Sequence, residues 1–197
     1  MSRFCRSARR KLIASDSGQA SVELAFVVTL LLLLVCASID FGRALNTLQV
    51  MAELTRQGAN LALRAEGTST CDSMCTAIAA LSSTAENSGL NLSGNGRIII
   101  TSLTETLTGS ETVGPSGGPY KIAEQDVSSG GISVTSKMGT TVGSTVTLPG
   151  APGLQSGQYL YVTEIFYAFT PLTPIGKLTN AAVGMPSQLY DIAYFQG

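Results

Sequence analysis

Residues 24–39 read LAFVVTLLLLLVCASI, sixteen positions without one charged side chain. So much apolar surface has to leave water, since keeping it hydrated costs ~25 cal/mol per Å². As a helix rising ~1.5 Å per residue the run covers about 24 Å, and with residues 19–22 and 40–41 it can cross the ~30 Å hydrocarbon core of a bilayer. A secretory signal peptide carries its small-residue cleavage site after the apolar run. Here the candidate site, Gly18, comes before it. Cleavage there would keep the helix in the product, with Gln19 at the new amino terminus and Glu23 as its fifth residue.

Charge is spread unevenly along the 197 residues, whose formal net charge is −1. Residues 1–18 hold Arg3, Arg6, Arg9, Arg10 and Lys11 against Asp16 alone, whereas acids outnumber bases in residues 19–197. Lys and Arg crowded on one flank of a spanning helix keep that flank in the cytoplasm. The expected organisation is a basic leader (1–18), a transmembrane segment (19–41), a helical continuation (42–66) and an exported body (67–197). The body is rich in Ser, Thr and Gly, and no histidine or tryptophan occurs in the chain. Nucleic-acid binding wants a clustered basic surface, which this body lacks.

Past the apolar run, Phe41, Leu45, Leu48, Ala52, Thr55, Ala59 and Ala62 recur in steps of three and four, one apolar stripe on an otherwise polar helix. With no proline before Pro115, a helix is expected over residues 20–65, stopped by Gly67. A second is expected over 71–86, capped by Ser69 or Thr70 and broken by Asn87-Ser88-Gly89 and Ser93-Gly94-Asn95-Gly96. Strands are expected over 97–107, 120–127, 132–137 and 158–169, with a loop over 139–157 that holds a short strand at 144–148. A short helix at 175–178 and a last strand at 189–195 complete the pattern. Both alternating faces of 158–169 are apolar, which places that strand inside the sheet with the helix covering one side. The fold class is α+β: a long amino-terminal helix, part transmembrane, packed on a small antiparallel sheet.

Candidate chemistry is sparse. Cys71-Asp72-Ser73-Met74-Cys75 has two thiols where zinc wants four N or S ligands, and three intervening residues where a thioredoxin-like motif has two. In an oxidising compartment a local Cys71–Cys75 disulfide is the favoured reading, with free thiols as the alternative. Cys36 reads as a helix filler. A serine hydrolase would lack its histidine base. Glu124 and Asp126 share one face of a strand, as acid–base chemistry would require, but a solvated strand edge is the favoured reading. The chain is expected to be no enzyme and to hold no cofactor or metal. Asp40 and Arg43, three apart at the helix exit, are placed to pair locally or to meet adjacent subunits.

The order of leader, Gly18, Glu23 and apolar helix resembles a prepilin of the type IV pilin superfamily, cut on the cytoplasmic side by a dedicated peptidase. A carboxylate near the apolar core costs a few kcal/mol unless it finds a partner. The resemblance supplies one: the newly made α-ammonium of a neighbouring subunit. Gly18-Gln19-Ala20-Ser21-Val22-Glu23-Leu24-Ala25-Phe26, the exit Ile39-Asp40-Phe41-Gly42-Arg43-Ala44-Leu45, and Ala52 with Arg56-Gln57-Gly58-Ala59 are similar to the TadE-like family. So is the later corner Tyr167-Ala168-Phe169-Thr170-Pro171-Leu172. The resemblance implies a type IV pilin-like fold and a minor pilin, or pseudopilin, of the Tad (tight adherence) system that builds Flp pili for surface adherence. Gly18 and Gln19 would be the processing junction and Glu23 the assembly charge. The implied partners are the prepilin peptidase, other Tad pilins and pseudopilins, the inner-membrane assembly platform and membrane lipid. The implied location is the bacterial inner membrane, amino terminus cytoplasmic and head periplasmic, with incorporation in the pilus at the cell surface. The major Flp pilin differs in being short and in having Tyr after its Glu, where this chain has Leu24 and a large head. The alternative is a non-pilus, membrane-anchored extracytoplasmic binding or adhesion module that keeps its leader.

Overall fold

The computed structural model describes residues 4–65, 72–106, 113–173 and 187–197, with side chains from Gly18 onward. Helix α1 runs Phe4–Arg64. It starts inside the basic leader and not at Ala20 as expected, because residues 4–17 contain no helix breaker. Its expected stop, Gly67, lies outside the described residues, as do Ser69, Thr70, Cys71 and the expected helix at 175–178. The chain forms two compact units. The first comprises Met1–Arg43 with Pro171–Met185, and the second Ala44–Thr170 with Pro186–Gly197.

The second unit is built on an antiparallel five-stranded sheet. Its strands are β1 (Gly96–Glu105), β2 (Tyr120–Val127), β3 (Thr145–Val146), β4 (Tyr159–Ala168) and β5 (Gln188–Gln196), in the order β3-β2-β1-β4-β5. β1 pairs with β4 from Gly96↔Tyr167 to Thr104↔Tyr159, and β4 with β5 from Leu160↔Gln196 to Ala168↔Gln188. The β1–β2 register shifts between Ser102 and Leu103. Strand alternation sends neighbouring side chains to opposite faces. One face carries Ile98, Ile100, Ile165 and Leu189, which share a core with Met51, Leu54 and Ala62 of α1 and Met74, Ala77, Leu81 and Ala85 of α2 (Ser73–Asn87). The other carries Leu103, Tyr120, Ile122, Leu160 and Val162, roofed by Val146, Leu148, Ala151 and Leu154. β4 is interior as expected, although the middle strand is β1.

Two polar anchors fix α1 and the loops to this sheet. The buried Thr55 hydroxyl donates to the Asp191 carboxylate of β5, at 2.5 Å. Glu164 of β4 is fully buried, and its carboxylate accepts from the Ser136 hydroxyl, from the Lys137 N–H at 3.0 Å and from the Tyr190 hydroxyl at 3.0 Å. A buried charge is tolerable only with such a set of donors. Where α1 crosses β4, Gly58 leaves no room for a side chain: a Cβ there would lie 2.6 Å from Leu81 Cδ1 and 2.9 Å from Thr163 Cγ2.

Several expectations need correction. The cap of α2 is Asp72, whose side chain accepts the Cys75 N–H at 2.8 Å, so the helix begins two residues later than expected. α2 ends at Asn87, where the break was expected, and the 93–96 string beyond it lies largely in a one-turn helix that was not expected, α3 (Leu92–Asn95), capped by the Asn91 side chain. Residues 132–137 form no strand. Their polar groups are claimed elsewhere: the Ile132 carbonyl accepts from the Arg97 guanidinium, and Ser136 and Lys137 are held by Glu164.

Candidate functional site

In a water-soluble fold an all-apolar helix is buried. The α1 segment that follows Gly18 does the reverse, with Val22, Leu24, Phe26, Val28, Leu30 to Val35 and Ile39 all exposed. It is long and apolar enough to cross a membrane and it lies near the amino terminus, as a membrane anchor would. Charge within it is confined to Glu23, which is exposed. Gly18 and Gln19 lie within the same continuous helix, also exposed, and a Cβ at Gly18 would meet nothing within 4 Å. Gln19 and Glu23, the residues expected to follow the cleavage site and to carry the assembly charge, are thus about one helical turn apart on an uncovered surface. Cys36 is a free thiol, half-buried in the same helix.

At the exit end, Asp40 is 1% exposed. Arg43, one of the two partners left open by the sequence, acts on it through its charge, and the hydrogen bonds of Asp40 go elsewhere. Its Oδ1 accepts the Leu172 N–H at 2.9 Å and the Thr173 N–H at 3.3 Å, and its Oδ2 accepts the Thr173 hydroxyl. The strap that follows Pro171 is therefore pinned to the helix within the first unit. The sequence contains both partners, the exit block and the proline corner, but nothing in their spacing joins positions 133 residues apart.

The cysteine region also has a role beyond the one expected. Cys75 is disulfide-bonded, and Cys71 lies outside the described residues. Asp72, beside them, interacts with Glu124 and Asp126 of β2, so the pair expected at a solvated strand edge belongs to a trio. The Cys75 N–H holds the Asp72 carboxyl below its ordinary range. Desolvation, and then Asp72, push Glu124 and Asp126 upward. The trio is a site of repulsion that the α2 cap partly offsets. An open groove of about 470 Å³ between α1 and β5 is lined by Arg56, Gln57, Asn60, Leu61 and Phe195, with no acid, thiol or hydroxyl among them to do chemistry.

Residues 18–60 match the family model described as TadE-like protein, a span that includes Gly18, Gln19, Glu23, Asp40 and Gly58. No curated protein and no solved structure matches the chain.

Proposed function

The chain carries a TadE-like segment over residues 18–60, and from that premise we propose that it is a minor pilin or pseudopilin of the Tad pilus system. The observation that carries the reading is the exposed apolar helix with a carboxylate near its start and a glycine five residues before that carboxylate. A helix apolar all round has two stable settings, lipid and a bundle of similar helices, and pilus assembly moves it from the first to the second. The leader is retained in the cytoplasm, a prepilin peptidase cuts after Gly18, and the α-ammonium of Gln19 becomes available to Glu23 of a neighbouring subunit. That ion pair sets the register in which helices pack, since a carboxylate without a partner is costly at membrane depth. The head then lies on the periplasmic side of the inner membrane and makes the outward contacts. The protein acts through assembly with other Tad pilins and the inner-membrane platform, without catalysis, and a Cys71–Cys75 bridge ties the start of α2 in that oxidising compartment.

The test is the intact mass of the membrane-extracted protein, with and without the cognate prepilin peptidase, beside a Gly18→Ala variant. A product starting at Gln19 only when both peptidase and Gly18 are present is expected. A chain that keeps residues 1–18 in its native host refutes processing and leaves the membrane-anchored adhesion module standing. Glu23→Ala addresses the second step: loss of piliation with normal membrane levels is expected, and unaffected piliation removes Glu23 from assembly.

A further inference from the structure

We infer that residues 171–173 form a membrane-interface foot, tethered to α1 by Asp40 so that Leu172 sits in the outer lipid interface. The inference rests on the reading of α1 as a membrane anchor. Residues 24–39 supply about 24 Å of apolar helix, some 6 Å short of a hydrocarbon core of ~30 Å. At the exit end the next residue, Asp40, would ordinarily mark the water boundary. It cannot do so here, because it is 1% exposed and its oxygens are occupied by two backbone N–H groups and a hydroxyl of the strap. With its hydrogen bonds met by protein, the apolar stretch continues through Phe41 and Gly42 to about 28 Å, and Arg43 becomes the first residue that demands water.

Two large apolar side chains at this level are uncovered. Phe41 is 56% exposed and Leu172, in the turn Thr170-Pro171-Leu172-Thr173, is 67% exposed. The Leu172 N–H on Asp40 fixes the backbone of that residue to the helix turn where the apolar span ends. The exposed leucine is thus held, through its backbone, at the level where the apolar span ends, and the occupant that fits it there is the acyl-chain end of the lipid headgroup region.

The chain contains no tryptophan, so one introduced residue is a unique reporter. Three variants of the full chain, Leu172→Trp, Val28→Trp and Val142→Trp, are reconstituted in phosphatidylcholine vesicles whose acyl chains are brominated near the glycerol end or near the methyl end. Val28 lies within the apolar span and Val142 is an exposed loop residue of the second unit. Leu172→Trp is expected to emit at shorter wavelength than Val142→Trp and to be quenched several-fold more by the shallow bromines, while Val28→Trp is quenched by the deep ones. Adding Asp40→Ala to Leu172→Trp is expected to bring its quenching down to the Val142→Trp level. Quenched Val28→Trp beside unquenched Leu172→Trp overturns the foot and leaves the anchor standing, and a blue-shifted but unquenched Leu172→Trp, covered by protein, does the same. If Val28→Trp is itself unquenched, the anchor reading fails and the foot with it. Quenching of Leu172→Trp that survives Asp40→Ala overturns the tether.

Discussion

Replacing Gly58 with alanine sets two known effects against each other. In a solvent-exposed helix, glycine to alanine stabilises by about 1 kcal/mol through backbone entropy. At Gly58 the added methyl would lie 2.6 Å from Leu81 Cδ1, 2.9 Å from Thr163 Cγ2 and 3.0 Å from Thr163 Oγ1. Leu81 and Thr163 are fully buried. The Leu81 contact involves the free end of a flexible side chain, which can turn aside. Thr163 is β-branched and stiff on its strand, so relief there requires α1 to lift from β4. Overpacking of this kind costs about 1–3 kcal/mol. The net expectation for Gly58→Ala is a loss of about 1 kcal/mol, opposite in sign to the propensity effect alone. In a Thr163→Ala background both Thr163 atoms are gone and only the movable Leu81 Cδ1 remains close, so the same substitution should stabilise. Urea titration of the full chain in detergent micelles, followed by near-ultraviolet circular dichroism, measures all four corners of this cycle. A Gly58→Ala protein as stable as the parent or more so, with no coupling to Thr163, would refute the close approach.

Asp40→Ala should speed amide hydrogen exchange at Leu172 and Thr173, because charge-assisted bonds contribute about 1.5–3 kcal/mol each; unchanged exchange at both amides counts against the tether. Glu164→Gln keeps the shape but removes the charge that accepts from Ser136, Lys137 and Tyr190, and a loss of about 1–3 kcal/mol is expected by the same urea assay. The acidic trio predicts a pH dependence. Glu124 and Asp126 hold protons more tightly folded than unfolded, so their contribution is present below the ordinary carboxylate range and is lost as pH rises through their raised values. Asp72, depressed by its cap bond, does the reverse and loses its contribution as pH falls. Glu124→Gln combined with Asp126→Asn should therefore raise the thermal midpoint at pH 7 and leave it little changed at pH 3; an equal gain at both would dismiss the repulsion.

How far the fold could be read from the sequence depended on whether the determining interactions were local. The stripe announces the packed half of α1 only from Leu48 to Ala62, its first members Phe41 and Leu45 being exposed, because helix periodicity is a local property; residues 120–127 stand out because Pro119 and Ser128-Ser129-Gly130 punctuate them. The 132–137 segment misleads because its residues alternate like a strand, while the groups that hold it, Arg97 and Glu164, come from strands far away in sequence. The α2 cap went to Asp72 because an aspartate that close to the helix competes directly with Ser69 and Thr70 for the same donors. In the candidate site, Gly18 and Glu23 are legible from one contiguous motif. The partners of Asp40 were not, since a single carboxylate carries no mark of which distant backbone will donate to it.

The core beneath α1 also constrains the order in which the chain can mature. Met51, Leu54 and Ala62 are synthesised early, whereas the strand residues that cover them, Ile98, Ile165 and Leu189, arrive across the next hundred or more positions. Contacts so distant in sequence close slowly, because loop entropy has to be overcome before any burial is gained. If the head is exported as proposed, the stripe on α1 is covered only in part, by α2 and β1, until β4 and β5 have followed. On that reading a chain held in transit would leave part of an apolar helix face uncovered, and that interval is when a chaperone or a waiting partner would matter most.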